Sequence, residues 1–330
     1  MVQSHKVGWG KHRRSANADA CAFLMLKNNR GLVAIIAAMV LWGLSNPLSD
    51  FAVEKLTPIQ SFACEVAGGL VTLLMAMVAI PRFRTALLHI PWKIAIPFGI
   101  ISPGLQYILG NIGFQYGTVT TGVVLMSSEV FFLAIGGVFI LKEKMHKLGF
   151  VGLAVGVTGA IITGVAGQHN NPETTGLVLH VAGLSVSAGL VGALAFLLVG
   201  LSGGAYGLLG RKFTPGQNIM ALTTGQVFVS AIIAILFTLG THQPMPTSDQ
   251  AMNVASAALG GAMGTSLAFL LYNFGAKTAS TKQAALSLNL IPIVAIISGA
   301  LLGRGLPTPL QYVGIVLVLV SMLALETEHP

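Results

Sequence analysis

The chain has 330 residues, of which 54% are hydrophobic and 8% charged, with a formal net charge of +8 and a mean hydropathy of +0.81. Soluble domains carry about 25% charged residues, so this composition excludes a water-solvated globule and points to a chain surrounded by lipid. Cys21 lies in a polar tail and Cys64 inside an apolar run, which leaves no place for a structural disulfide.

Residues 1–30 are polar and basic, with Lys6, Lys11, Arg13, Arg14, Lys27 and Arg30, and their apolar run at 20–26 is too short for a signal-peptide core. They are expected to form a cytoplasmic tail. A bilayer core of roughly 30 Å takes about 20 apolar residues per helix. By that measure ten spans are expected, at about 31–50, 58–80, 94–115, 119–141, 148–166, 192–212, 218–240, 252–275, 282–303 and 308–325. The stretch 167–191 opens polar and continues rich in Gly, Ser and Val, a linker that could be loop, interfacial helix or part of a span. An eleventh span there would put Arg211, Lys212, Lys277 and Lys282 outside. Ten spans leave only Lys55 and Arg304 of the 18 Lys and Arg facing outward, which fits the positive-inside rule with both termini cytoplasmic. That asymmetry accounts for the positive charge without nucleic acid.

The segment 99–153 has a partner 162 residues later. Without a gap, Gly99, Leu105, Asn111, Gly113, Gly137, Leu148, Val151 and Gly152 fall on Gly261, Leu267, Asn273, Gly275, Gly299, Leu310, Val313 and Gly314. Apolar runs and polar joins coincide as well. Internal repetition in an apolar chain is a common plan of transporters, and an odd-numbered repeat must run opposite to its copy. The expected fold is therefore an all-α integral membrane protein of ten transmembrane helices in two inverted five-helix repeats. Its parts are a tail (1–30), the first repeat (31–166), the linker (167–191), the second repeat (192–325) and a cytoplasmic C-terminal tail (326–330).

Several prolines interrupt these spans. Asn46-Pro47 is expected to break the first and Ser102-Pro103-Gly104, with Pro97, the third, while Pro292 lies inside the ninth. Proline frees a backbone carbonyl, tolerable in a membrane only where protein or a wet cavity satisfies it again, so Pro47, Pro103 and Pro292 are candidate hinges. Glycines at helix-packing spacing, Gly113 and Gly117, Gly152 and Gly156, Gly200 and Gly204, Gly260 and Gly264, read as close-packed helix faces.

Polar and aromatic residues within spans are the candidate substrate-binding groups: Trp42, Asn46, Tyr107, Asn111, Ser127, Ser128, Tyr206, Tyr272, Asn273, Ser287 and Asn289. Aromatic walls with uncharged donors and acceptors suit a mostly apolar zwitterion. They are expected to line a central cavity that opens alternately to each side. No cation lies deep in a span to attract a strong anion, and no carboxylate pair is evident for a dication. Glu65 shares a helix face with Ser61, Gly68, Gly69 and Thr72, and Glu129 stands beside Ser127 and Ser128. Carboxylates inside a bilayer are costly and commonly functional, so both are candidates for proton coupling.

The chain lacks a zinc-type His/Glu motif and a nucleotide-binding glycine loop with its lysine. That argues against catalysis, a metal, a cofactor or an ATP-driven pump. The Leu290-Ile291-Pro292 sequence in the ninth span and Leu141-Lys142-Glu143 closing the fourth resemble the EamA-type drug/metabolite transporter superfamily, over residues 31–325. By general similarity the chain looks most like bacterial amino-acid exporters of the YddG type. Val130 stands where Pro292 has its first-half counterpart, and Gly305 where Glu143 has its second-half one. The resemblance implies an inner-membrane exporter of amino acids or related metabolites, with a small molecule and membrane lipid as partners. A competing reading, an intramembrane enzyme or flippase acting on lipid or another amphiphile, is disfavoured by the missing catalytic groups.

Overall fold

A computed structural model describes residues 9–140, 142, 145, 147–167, 176–181, 184–275 and 287–327. Helix α1, Trp9–Ala52, takes in most of the expected tail, and its apolar part is Arg30–Ala52. There follow α2 (Pro58–Ala79), α3 (Pro81–Leu87), α4 (Trp92–Gly99), a wide π-type segment (Ile100–Leu105), α5 (Gln106–Tyr116), α6 (Val119–Met126), α7 (Glu129–Ile140) and α8 (Lys147–Gly167). Two short antiparallel strands, Val178–Val181 and Leu184–Ser187, occupy part of the expected linker. Next come α9 (Ala188–Phe213), α10 (Ile219–Gly240), α11 (Ala251–Gly261), a second π-type segment (Ala262–Ala268), α12 (Phe269–Gly275), α13 (Leu290–Leu301) and α14 (Pro309–Thr327).

Among the described residues, seven helical stretches are long and apolar enough to cross a membrane, and Leu290–Leu301 and Pro309–Leu325 are shorter apolar helices. The expected third span, 94–115, is not continuous. Ser102 is extended (φ −145°, ψ 125°) between α4 and α5, because Pro103 disfavours helix at the residue before it. Both π-type segments start 162 residues apart, at Ile100 and Ala262, the spacing of the internal repeat. A second pair of breaks keeps the same spacing: the turn at Ser127–Ser128 between α6 and α7, and the turn at Asn289 before α13.

The prolines behave differently from one another. Pro47 sits within an unbroken α1, so the expected break at Asn46-Pro47 is absent. Nearby, Ser45 Oγ and Asn46 Nδ2 both donate to the Trp42 carbonyl at 2.8 Å. Pro292 occupies the first turn of α13, where the missing N–H has no helical partner to lose. The matching first-half break at Ser127–Ser128 needs no proline. There Ser127 Oγ donates to the Val123 carbonyl at 2.7 Å, a side chain competing with the backbone ladder.

Helix starts share one device. Thr57 and Gln60 form a capping box with Pro58 at the first helical position. Thr308, Pro309 and Gln311 repeat it at α14, and Thr247 with Gln250 before α11. Each box satisfies two otherwise orphaned backbone donors. At the other end of α2, Arg84 donates to the Met77 and Val78 carbonyls, a cation suited to a helix C-terminus.

The two halves interleave. Helix α1 packs on α11, α12, α13 and the second π-type segment; α2 packs on α10 and α11; α5 and α7 pack on α9; α8 packs on α14. Glycine makes this possible. A Cβ at Gly68 would stand 2.8 Å from Ala258 Cα, and one at Gly261 2.5 Å from Glu65 Cα, so α2 and α11 meet backbone to backbone. Gly113, Gly117 and Gly122 all close on the ring of Phe196.

At one end of the bundle the halves are also tied by polar contacts. Arg304, after α13, pairs with Asp50 and Glu54 at the end of α1. Lys55, Thr57 and Gln60 bond residues 243–249, Gln250 Nε2 donates to the Lys55 carbonyl, and Asn253 Nδ2 donates to the Phe51 carbonyl. Burial works against the Arg304 charge, but Asp50 and Glu54 more than offset it and hold its pKa above the usual arginine range.

Candidate functional site

Two groups of side chains lie between the halves. The first surrounds Glu65, which is 1% exposed on α2. Ser49 Oγ of α1 donates to Glu65 Oε1 at 2.5 Å, and Asn111 Nδ2 of α5 donates to Oε2 at 2.8 Å. Ser61 Oγ in turn donates to Asn111 Oδ1 at 3.1 Å, which leaves the amide one orientation that satisfies both neighbours. Four polar side chains from three helices thus use one another's hydrogen-bonding capacity in a water-poor interior.

The second group is a row of aromatic rings. Phe98 of α4 meets Tyr206 of α9 at 5.0 Å, Tyr206 meets Phe269 of α12 at 5.9 Å, and Phe269 meets Trp42 of α1 at 5.1 Å. Tyr272 closes the row on Trp42 at 5.6 Å. The rings alternate between halves, and most pairs are edge-to-face, the arrangement aromatic quadrupoles favour. The polar tips are fixed: Trp42 Nε1 donates to the Gly264 carbonyl at 3.0 Å, and Gln226 Nε2 donates to the Tyr206 hydroxyl at 3.0 Å. The Tyr107 hydroxyl comes to the same Gly264, where a Cβ would meet it at 2.5 Å. Tyr107 therefore stands between the two groups.

Glu129 opens α7 and is half-buried. Its carboxyl lies on the backbone of α9, where a Cβ at Gly203 would be 2.6 Å from Glu129 Cδ and 2.9 Å from Gln106 Nε2. It lies within electrostatic reach of Tyr206 and Tyr272, and Arg211 reaches Tyr272 as well.

Of the residues singled out in the sequence, Trp42, Tyr107, Tyr206 and Tyr272 come together in or beside the aromatic row, and Asn111 joins Glu65. Others bond elsewhere. Asn46 and Ser127 bond their own helices, and Asn273 Nδ2 donates to Thr223 Oγ1 on α10 at 2.9 Å. Ser128 is buried against Gly200 with no hydrogen bond to its Oγ among the described residues. Ser287 and Asn289 are buried at the entry to α13. Sequence reasoning missed Phe98, Phe269, Ser49 and Gln226, which carry no signal beyond lying in apolar runs. It also missed Asp50, whose pairing with Arg304 joins positions 254 residues apart.

Two segments of the chain, 29–165 and 190–327, each match the model of the EamA-like transporter family. The chain belongs to that family. Each EamA segment covers one half, and the strand pair lies between them. Among EamA-type relatives in Bacillus subtilis (strain 168), the chain is 24% identical to a protein named uncharacterized transporter YyaM over 292 residues, covering 88% of this chain and 92% of that one. It is 29% identical to uncharacterized transporter YvbV over 159 residues, 47% of this chain and 50% of that one. A solved crystal structure matches with a TM-score of 0.59 at 17% identity, covering 89% of this chain and 95% of the other, a likeness of fold alone.

Proposed function

We propose that this EamA-family transporter exports small zwitterionic metabolites, foremost amino acids with aromatic or other apolar side chains, as a secondary transporter or facilitator of the YddG type. In this reading ten spans form two inverted five-helix repeats in a bacterial inner membrane, with both termini cytoplasmic. The site opens alternately to each side as the segments around the paired breaks rock. The observation that carries it is the ring row Phe98–Tyr206–Phe269–Trp42–Tyr272, because it is built from both halves and relative movement of the halves must make and break it. Burying a Phe-sized side chain there is worth roughly 1.5–3 kcal/mol, weak enough for release. Tyr272 lies within reach of both Glu129 and Arg211, which suits the two poles of a zwitterion. Glu65 and Glu129 are the groups that would carry a proton if transport is coupled to one.

Counterflow in proteoliposomes tests this. Vesicles loaded with unlabelled phenylalanine should accumulate labelled phenylalanine and leucine, threonine less, and glutamate or lysine not at all. Preference for a charged solute, or no counterflow with any amino acid, overturns the reading.

A further inference from the structure

We propose that Glu129 is the receptor for a substrate ammonium group, with the rings of Tyr206 and Tyr272 beside it and the substrate's apolar body lying along Phe269 and Trp42. Among the described residues Glu129 makes no side-chain hydrogen bond and no ion pair, whereas Glu65 makes two hydrogen bonds and Asp50 is paired with Arg304. A carboxylate inside a membrane span is costly unless something neutralises it. Gly203 brings its carboxyl flat against α9, one turn before Tyr206, and a larger residue at 203 would displace it. Both tyrosines within its electrostatic reach belong to or adjoin the aromatic row. A carboxylate flanked by electron-rich ring faces is complementary to a cation of low hydration, and a primary ammonium on an apolar stem has that character. The half-burial of Glu129 leaves it reachable, while Glu65 is closed off. Gln106, whose amide nitrogen comes to the same spot on Gly203, is an uncharged neighbour that does not compete for the role.

The inference rests on the amino-acid reading above for its choice of probes, and it separates from that reading by leaving out the substrate carboxylate. Binding of labelled phenylalanine to the purified full chain in detergent should be displaced by phenethylamine, which keeps the ammonium and the ring. It should be displaced at least about tenfold more weakly by 3-phenylpropionate, which lacks the ammonium, tenfold being what a hydrogen bond to a charged group is worth. Glu129→Gln should weaken phenethylamine binding by a similar factor, with Glu129→Asp falling between. Phenethylamine binding that depends on Glu129, with no phenylalanine binding, would uphold this site and overturn the amino-acid reading. Equal displacement by both analogues of the wild type, equal phenethylamine affinity in Glu129→Gln, or no binding of either amine overturns the inference. The analogue comparison needs no variant, so a misfolded mutant does not protect the idea.

Discussion

Glu65 is enclosed by Ser49, Ser61 and Asn111, each bonded to the next, on helices α1, α2 and α5. Glu129, at the start of α7, has a glycine backbone against it and aromatic rings within reach. Both read alike in the sequence, as single carboxylates in apolar runs beside serines. The structure separates them by what their neighbours can do. A carboxylate whose oxygens are already bonded holds helices together, and its removal leaves donors stranded. A carboxylate without such bonds is available to something that comes and goes. Hydrogen-bond saturation, more than burial, distinguishes a structural acid from a working one here.

A third carboxylate, Asp50, extends the comparison and should give the largest effect. It is 5% exposed and depends on Arg304 for its counter-charge, while Glu54 is more exposed and contributes less. Arg304→Leu should cost on the order of 3 kcal/mol, because a buried charge loses its partner. That would appear as a clear fall in melting temperature in detergent. An unchanged melting temperature would mean that Asp50 finds another partner or takes up a proton at no cost.

Next in size is the contrast itself. Asn111→Leu strands Glu65 Oε2 and Ser61, and should destabilise by about 1–3 kcal/mol. Glu129→Gln strands nothing and should leave the melting temperature within experimental error. If the two variants melt alike, the distinction between the carboxylates is lost.

The smallest effect is one of selectivity. Trp42→Ala removes the ring joining Phe269 to Tyr272. Transport of phenylalanine should fall roughly tenfold more than transport of threonine, in line with the loss of part of a large side chain's burial. Equal losses for both would place the apolar contact elsewhere.

Much of this architecture can be read before any coordinates. The 162-residue offset, written in pairs such as Gly99 and Gly261, returns as the spacing of two π-type segments and of two turns. Trp42, Tyr206 and Tyr272 were recognisable because polar-tipped rings are scarce in apolar helices. Breaks were harder to place. Proline proved neither sufficient at Pro47 nor necessary at Ser127–Ser128, since a helix end depends on where the released carbonyls find partners. Phe98 and Phe269 were hidden among apolar residues of the same hydropathy. The pairing of Asp50 with Arg304 could not be read from local pattern, because it depends on how the halves interleave.

The π-type segment Ala262–Ala268 holds roughly one residue more than an α-helix of the same rise. Deleting a single residue from it would turn everything downstream by about 100° around the helix axis. Phe269 and Tyr272 would swing away from Trp42, and Asn273 from Thr223, with no residue of the site replaced. The aim of these side chains is therefore set by a count of residues upstream as well as by their kinds. A relative that keeps every ring but lacks the extra residue would present them to lipid or to another helix, and its substrate range could not be inferred from the rings alone.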